Sequence, residues 1–217
     1  APSYPQLFIK VIAGWAAGYH LDATSGVARV YDGRTGGVYT DKAVAMHVEL
    51  PASHRATLGI VNIFEPSDAV EIQFPATGFS TKDALVNGVR CNFHDYLVDC
   101  KHDIRLPLIA DYCGALINIG FWPLDPIERK VTFGLPVLEG VTYRFAKPVS
   151  NYAEKFAAAI PPHVEDPAFS CNCVFNYVFG ELEGKRTGNL VGPMTFGEIG
   201  YQMLNQTLVY VMTQASA

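Results

Sequence analysis

Apolar residues in this chain alternate with polar ones or gather into short runs bounded by Gly, Pro, Asn and Asp, so the pattern predicts many short elements. Residues 7–17 are apolar, carry β-branched positions and close on Gly18, which reads as a buried strand ended by a turn. Residues 27–31 and 38–48 read as the arms of a hairpin about the Gly-rich turn 32–37. Residues 57–64 and 69–74 form a second pair around the turn 65–68. Two helices are expected next. Ser80 stands three residues before Asp83 as in a capping box, with Asn87-Gly88 as the stop, and Asn92 stands three before Asp95, ahead of an apolar stripe of Phe93, Tyr96, Leu97 and Cys100.

Strands are expected again at 104–109 and 112–121, with Pro107 marking an edge or bulge, and at 130–133 and 141–145 about Glu139-Gly140. Asn151 heads a helix whose apolar face is Tyr152, Phe156 and Ile160, and Pro161-Pro162 ends it. A strand at 168–173 feeds an amphipathic helix at 174–182, then a Gly-rich loop at 184–192 and strands at 194–196 and 204–211. This mixture predicts an α+β fold of antiparallel sheets with helices packed against them. No linker separates autonomous units, so one domain over 1–217 is expected, with sub-halves at 1–104 and 105–217 as the finer division.

Composition narrows the class. The 217 residues are 49% hydrophobic and 17% charged, enough apolar material for a sizeable core. Part of that surplus suits a subunit interface, so a homo-oligomer is among the expectations. A net charge of −5 and no cluster of Lys and Arg give no basis for nucleic-acid binding. Every apolar run is too short to span a membrane, and the opening residues lack the basic-then-apolar order of a secretory leader. Five cysteines at uneven spacing suit reduced thiols and a cytoplasmic setting.

The segment Gly192-Pro193-Met194-Thr195-Phe196-Gly197-Glu198-Ile199, followed by Asn205-Gln206-Thr207-Leu208, resembles the closing signature of the FIST family. Phe169-Ser170-Cys171 ahead of a helix is similar to the family's preceding strand–helix step, and Val137-Leu138-Glu139-Gly140 to its P-E-G turn, with Leu138 departing from the pattern. Residues 11–18 and 27–48 bear a looser likeness to the end of the family's N-terminal half, with Gly14-Trp15 at its usual turn. The resemblance implies a shortened or divergent member of a sensory, small-ligand-binding family of signalling proteins, one branch of which binds haem. Membership implies binding rather than catalysis, and a signalling or assembly protein as partner.

Several constellations bear on chemistry. Cys91, His94, Cys100 and His102 are soft or borderline ligands around one short helix and are the candidate metal set. A single straight helix does not gather all four, and the plainer reading buries the thiols and leaves the histidines at the rim. Cys171 and Cys173 form a C-x-C on one face of a strand, where Cys171, ahead of a helix, is the candidate nucleophile and two small buried hydrophobes are the alternative. A base for it is sought in His163 or Glu198. Glu198, among Gly192, Gly197 and Gly200, suits an amine or hydroxyl ligand approaching close to the backbone. Asp111, Tyr112 and Cys113, beside Gly114, suit a pocket rim. Asn205-Gln206-Thr207 fits the N-glycosylation pattern, a coincidence in a cytoplasmic chain.

The expected ligand site therefore draws on Asp111, Tyr112, Cys113, Cys171, Cys173, Gly197 and Glu198. The leading expectation is a non-enzymatic small-ligand-binding sensory module. Its rivals are a haem-binding gas sensor, a cysteine-dependent hydrolase and a structural accessory subunit. Haem would need an axial ligand such as His20 or His47, and no C-x-x-C-H motif is present for covalent attachment.

Overall fold

A computed structural model of the chain describes residues 10–18, 27–112, 114–190 and 192–215. In chain order the elements are β1 (Ala13–Trp15), β2 (Val30–Asp32), β3 (Gly37–Tyr39), β4 (His54–Val61), β5 (Ile72–Gln73), β6 (Gly78–Thr81), β7 (Asp83–Val86), β8 (Val89–Asn92) and α1 (Phe93–Asp99). Then come β9 (Leu108–Tyr112), β10 (Ala115–Ile119), β11 (Val131–Val137), β12 (Tyr143–Phe145), α2 (Tyr152–Ala159), β13 (Phe169–Cys173) and α3 (Val174–Phe179). The chain closes with β14 (Met194–Thr195), β15 (Glu198–Gly200), β16 (Gln202–Leu204) and β17 (Leu208–Ala215).

Strand accounts for 39% of this structure and helix for 11%. The α+β expectation is thereby corrected to a β-rich fold of five sheets with three short helices. Residues 80–92 show why. Asn87 and Gly88 both hold positive φ, 47° and 80°, which is the conformation of a tight hairpin turn. They join β7 to β8 in register from Val86↔Val89 to Asp83↔Asn92, so the expected first helix is a hairpin. Ser80 lies on β6 opposite Thr132 instead of capping anything. The second helix forms as expected: Asn92 Oδ1 accepts from the Asp95 N–H at 3.0 Å and satisfies a donor of the first turn.

The six-stranded sheet runs β10-β9-β12-β5-β7-β8 and the four-stranded sheet β14-β13-β17-β4. β11 shows the period-two logic, burying Val131, Phe133, Leu135 and Val137 and leaving the residues between them less covered. Phe74 packs edge-on against Phe93, Phe133 and Tyr143 at 5.4 Å between ring centroids in each case. Such pairs contribute ~0.5–1.5 kcal/mol each beyond area burial. The main core runs from Ile72 to Val209 and so draws on both the 1–104 and 105–217 segments.

Other boundaries move for physical reasons. Of the expected strand 38–48 only Val38 and Tyr39 pair, with Gly37 of the expected turn joining them in β3, and residues 42–50 carry no regular structure. Of the expected strand 7–17, residues 7–9 lie outside the described residues and β1 covers Ala13–Trp15. β9 starts only at Leu108, after Pro107. The expected strand 204–211 divides into β16 and β17, so residues 205–207 form a buried connection between two sheets. Asn151 does precede α2, but it holds a left-handed φ of 52° and its side chain caps nothing.

Candidate functional site

β13 lies between β17, antiparallel, and β14, parallel, and passes directly into α3. That step brings Asn172 and Cys173 of the strand end next to Asn176, one helical turn further on. On the neighbouring three-stranded sheet Glu198 of β15 stands opposite Trp15 and Leu204. The connection Asn205, Gln206 and Thr207 then crosses from that sheet to β17, with Gln206 at φ 50°.

The interior polar groups converge on this crossing. Ten polar residues are buried among the described residues, and eight of them are Asn118, Asn172, Asn176, Thr195, Glu198, Asn205, Gln206 and Thr207. Burying such groups is unfavourable unless each finds a partner, so their concentration in one place is a feature to explain. Most are paired. Asn172 Oδ1 accepts from the Cys173 N–H and from Asn176 Nδ2, each at 2.8 Å. Asn176 Nδ2 also donates to the Thr207 carbonyl at 3.1 Å, and the Tyr152 hydroxyl donates to Asn176 Oδ1. Glu198 Oε1 accepts from the Thr207 N–H at 3.0 Å and its hydroxyl at 3.2 Å. Asn118 exchanges hydrogen bonds with Asn62 and donates to the Asn205 carbonyl at 3.2 Å.

Three buried atoms in the cluster meet no hydrogen-bonding protein group within the geometric limits among the described residues: Asn172 Nδ2, Glu198 Oε2 and Gln206 Oε1. A buried polar atom left without any partner, protein or water, costs ~1–3 kcal/mol. Burial also governs the titration here. It pushes the Glu198 carboxyl up to about 8 from 4.5, against the opposing hydrogen bonds of Thr207. Burial, then the Glu198 charge, pushes the Cys171 thiol up to about 12. Cys173, beside Glu198, and the Tyr152 hydroxyl are raised well above their ordinary values by the same burial.

A cleft of ≈ 290 Å³ opens next to this cluster, lined in part by Arg105, Asn151, Tyr152, Glu181 and Lys185. Tyr152 belongs to both: its ring is half-buried at the cleft and its hydroxyl enters the network at Asn176. Gln206 does likewise from behind, donating from Nε2 to the Arg105 carbonyl at 2.9 Å. Arg105 is clamped to Asp103 at 2.7 Å, so the rim carries both signs of charge.

Of the residues singled out from the sequence, the structure brings Cys171, Cys173, Gly197 and Glu198 together. Gly197 holds φ 153° and accepts from the Ala16 N–H at 2.8 Å, which ties β15 to the chain after β1. Asp111 and Tyr112 fall elsewhere. They lie at the Ala115 end of the β9–β10 pairing, whereas it is the Ile119 end that leads to Gly120 and its contact with Asn205. There Asp111 accepts from the Gly114 N–H and Tyr112 bonds Tyr143, hydroxyl to hydroxyl, at 3.1 Å, so both have structural work in a turn and a core. Cys113 lies outside the described residues.

Cys91, His94, Cys100 and His102 are not gathered: no group of three or more metal-ligating side chains occurs among the described residues. His94 pairs with Asp95 through Nδ1 at 3.1 Å, and His102 stacks on Phe145 with Nε2 3.2 Å from the Leu106 carbonyl oxygen. His47, His54 and His163 are exposed, and His20 lies outside the described residues. Tyr152, Asn172, Asn176, Gln206 and Arg105 are the site residues that sequence reasoning passed over. The four-residue spacing of Asn172 and Asn176 was the one local signal available.

A family described as a family of unknown function, DUF6976, matches residues 1–214. No curated protein and no solved structure matches the chain. None of these comparisons links it to the FIST family.

Proposed function

We propose that this chain, which belongs to the DUF6976 family, is a non-enzymatic sensory module that binds a small polar ligand in the cleft beside Tyr152. The observation that carries the reading is the concentration of eight buried polar residues, three atoms of them unpartnered, directly behind a cleft whose rim carries both signs of charge. A ligand contacting Tyr152 and Arg105 acts on groups already bonded to Asn176 and Gln206, and so reaches β13 and β17 in the middle of their sheet. At ≈ 290 Å³ the cleft falls just below the ~300–1,000 Å³ typical of sites for drug-sized molecules, which favours something small.

The FIST resemblance supports the same reading, because residues 192–199 and 205–208 contribute Thr195, Glu198, Asn205, Gln206 and Thr207 to the cluster. A catalytic thiol fits less well. Cys171 is held up to about 12 and its neighbour is a carboxyl that burial keeps neutral, so neither a thiolate nor a base is at hand near pH 7. A cytoplasmic setting is part of the proposal, resting on five cysteines of uneven spacing.

The test is a thermal-shift screen of small polar compounds on the wild-type chain and on Arg105→Ala and Tyr152→Phe. A ligand at a hundred times its Kd stabilises by ~2.7 kcal/mol, which raises Tm by roughly 5–11 °C for a chain of this size. The reading expects compounds that shift the wild type by that amount and shift both variants much less. A screen in which every active compound shifts wild type and variants alike removes the cleft as the binding site.

A further inference from the structure

Among the described residues, none of 27–50 hydrogen-bonds to a residue outside that segment, and β2 and β3 pair only with each other. A two-stranded hairpin alone in water is marginal. The segment is nevertheless rich in apolar side chains. Of sixteen exposed large hydrophobics among the described residues, six fall between Val27 and Val48, with Met46 at 86% exposure. Val44, Met46 and Val48 recur at a spacing of two, the pattern of a strand with one apolar face, yet residues 42–50 pair with no strand among the described residues.

The same chain offers a place for such a strand. β4, β10 and β16 are each the outer strand of a different sheet. Between them lies an apolar groove of ≈ 270 Å³ lined by Ile60, Phe64, Leu116, Ile117 and Leu204. Ile60 and Leu116 of its lining are 43% and 40% exposed. Among the described residues β4 pairs only with β17, and an open eight-residue edge is a template for strand addition. The apolar middle of each side carries little charge, since Ala43 to Val48 holds only His47 among titratable residues and the groove lining holds none, with Asp41, Lys42 and Glu49 at the ends of the arm and His54 and Arg55 at the start of β4.

We infer that residues 41–49 of one copy lie along the β4 edge of a second copy, with Val44, Met46 and Val48 over the groove, in a reciprocal arm-exchange dimer. Donor and acceptor on one chain produce a closed two-fold pair rather than an open fibre when each copy gives and receives once. The lengths agree, since nine extended residues span about 30 Å and the eight of β4 about 27 Å. Each arm–edge contact covers roughly 30 by 10 Å on both surfaces. Two of them bury roughly 1,200 Å² in all, where stable interfaces begin. This inference is independent of the ligand reading.

The test is sedimentation equilibrium of the full chain across a wide concentration range, for the wild type, Met46→Asp on the arm and Leu116→Asp in the groove. Both positions are exposed in the single chain, so both variants keep its fold, and circular dichroism checks that they do. The wild type sediments as a dimer, and each variant raises the dimer Kd at least about tenfold. In a Cys100→Ser background, Met46→Cys chains mixed with Leu116→Cys chains yield a disulfide-linked heterodimer under mild oxidation. A monomeric wild type, a dimer that neither substitution weakens, or an intrachain disulfide formed in preference to the intermolecular one in the Met46→Cys, Leu116→Cys double variant overturns the inference.

Discussion

Glu198 makes folding stability depend on pH in a direction that one substitution removes. Its carboxyl is fully buried, and burial raises it from 4.5 to about 8. In the unfolded chain the same group ionises near 4.5. Between those values the folded state holds a proton that the unfolded state has lost, so stability falls as pH rises through that window. The slope approaches 1.4 kcal/mol per pH unit over about 3.5 units, or about 5 kcal/mol in all. That is a large part of the ~5–15 kcal/mol that holds a typical domain together. Glu198→Gln keeps the oxygen that accepts from Thr207 and cannot ionise. Its amide brings donors to a place where Oε2 has no partner, so at pH 5 the variant is less stable by ~1–3 kcal/mol. At pH 8 and above the order reverses, because only the wild type must then ionise a buried acid or carry its proton against the gradient. His102, lowered chiefly by burial, contributes an opposite slope near pH 6.5, but equally in both proteins, so the difference between them isolates Glu198. Urea unfolding followed by Trp fluorescence at unit steps from pH 5 to 9 reads this directly. Parallel stability curves for wild type and variant across that range would refute the claim that Glu198 is buried with its proton.

Two further outcomes check other parts of the structure. Iodoacetamide at pH 8 should label the exposed Cys100 in the native chain and leave Cys171 and Cys173 unmodified until denaturant is added, as read by peptide mass spectrometry; native labelling of Cys171 at the rate of Cys100 would place that thiol at the surface. Gly88→Ala puts a side chain at φ 80° where no atom lies in the way of a Cβ, so its cost is backbone strain alone, ~1–2 kcal/mol, and Tm should fall by roughly 2–8 °C, whereas an unchanged Tm would mean that the β7–β8 turn is not left-handed.

The sequence carried the β character but not its extent. The Asn92 cap was legible from its spacing to Asp95 because that signal is local, whereas only the first residues of β11 were: the strand expected at 130–133 runs on through Gly134, Leu135 and Pro136 to Val137. Asn87-Gly88 was not, because the pair ends a helix as well as it turns a hairpin, and the choice is made by Ile72 pairing with Val86 from a distant strand. The candidate site divides the same way. Glu198 and the C-x-C of Cys171 and Cys173 were visible as unusual residues among glycines and on one strand face. Tyr152, Asn172, Asn176 and Gln206 each had an ordinary local explanation as a helix face, a strand end or a strand start. Polar residues are exposed by default, so a sequence gives no sign that eight of them share an interior. What gathers them is the split of one expected strand into β16 and β17: the three residues freed from pairing carry Asn205, Gln206 and Thr207 inward, toward groups contributed by positions as far apart as Arg105, Asn118, Tyr152 and Glu198. The same property that hid the cluster argues for its use, since a chain selected only for stability would fill that crossing with apolar side chains and leave no atom there unpaired.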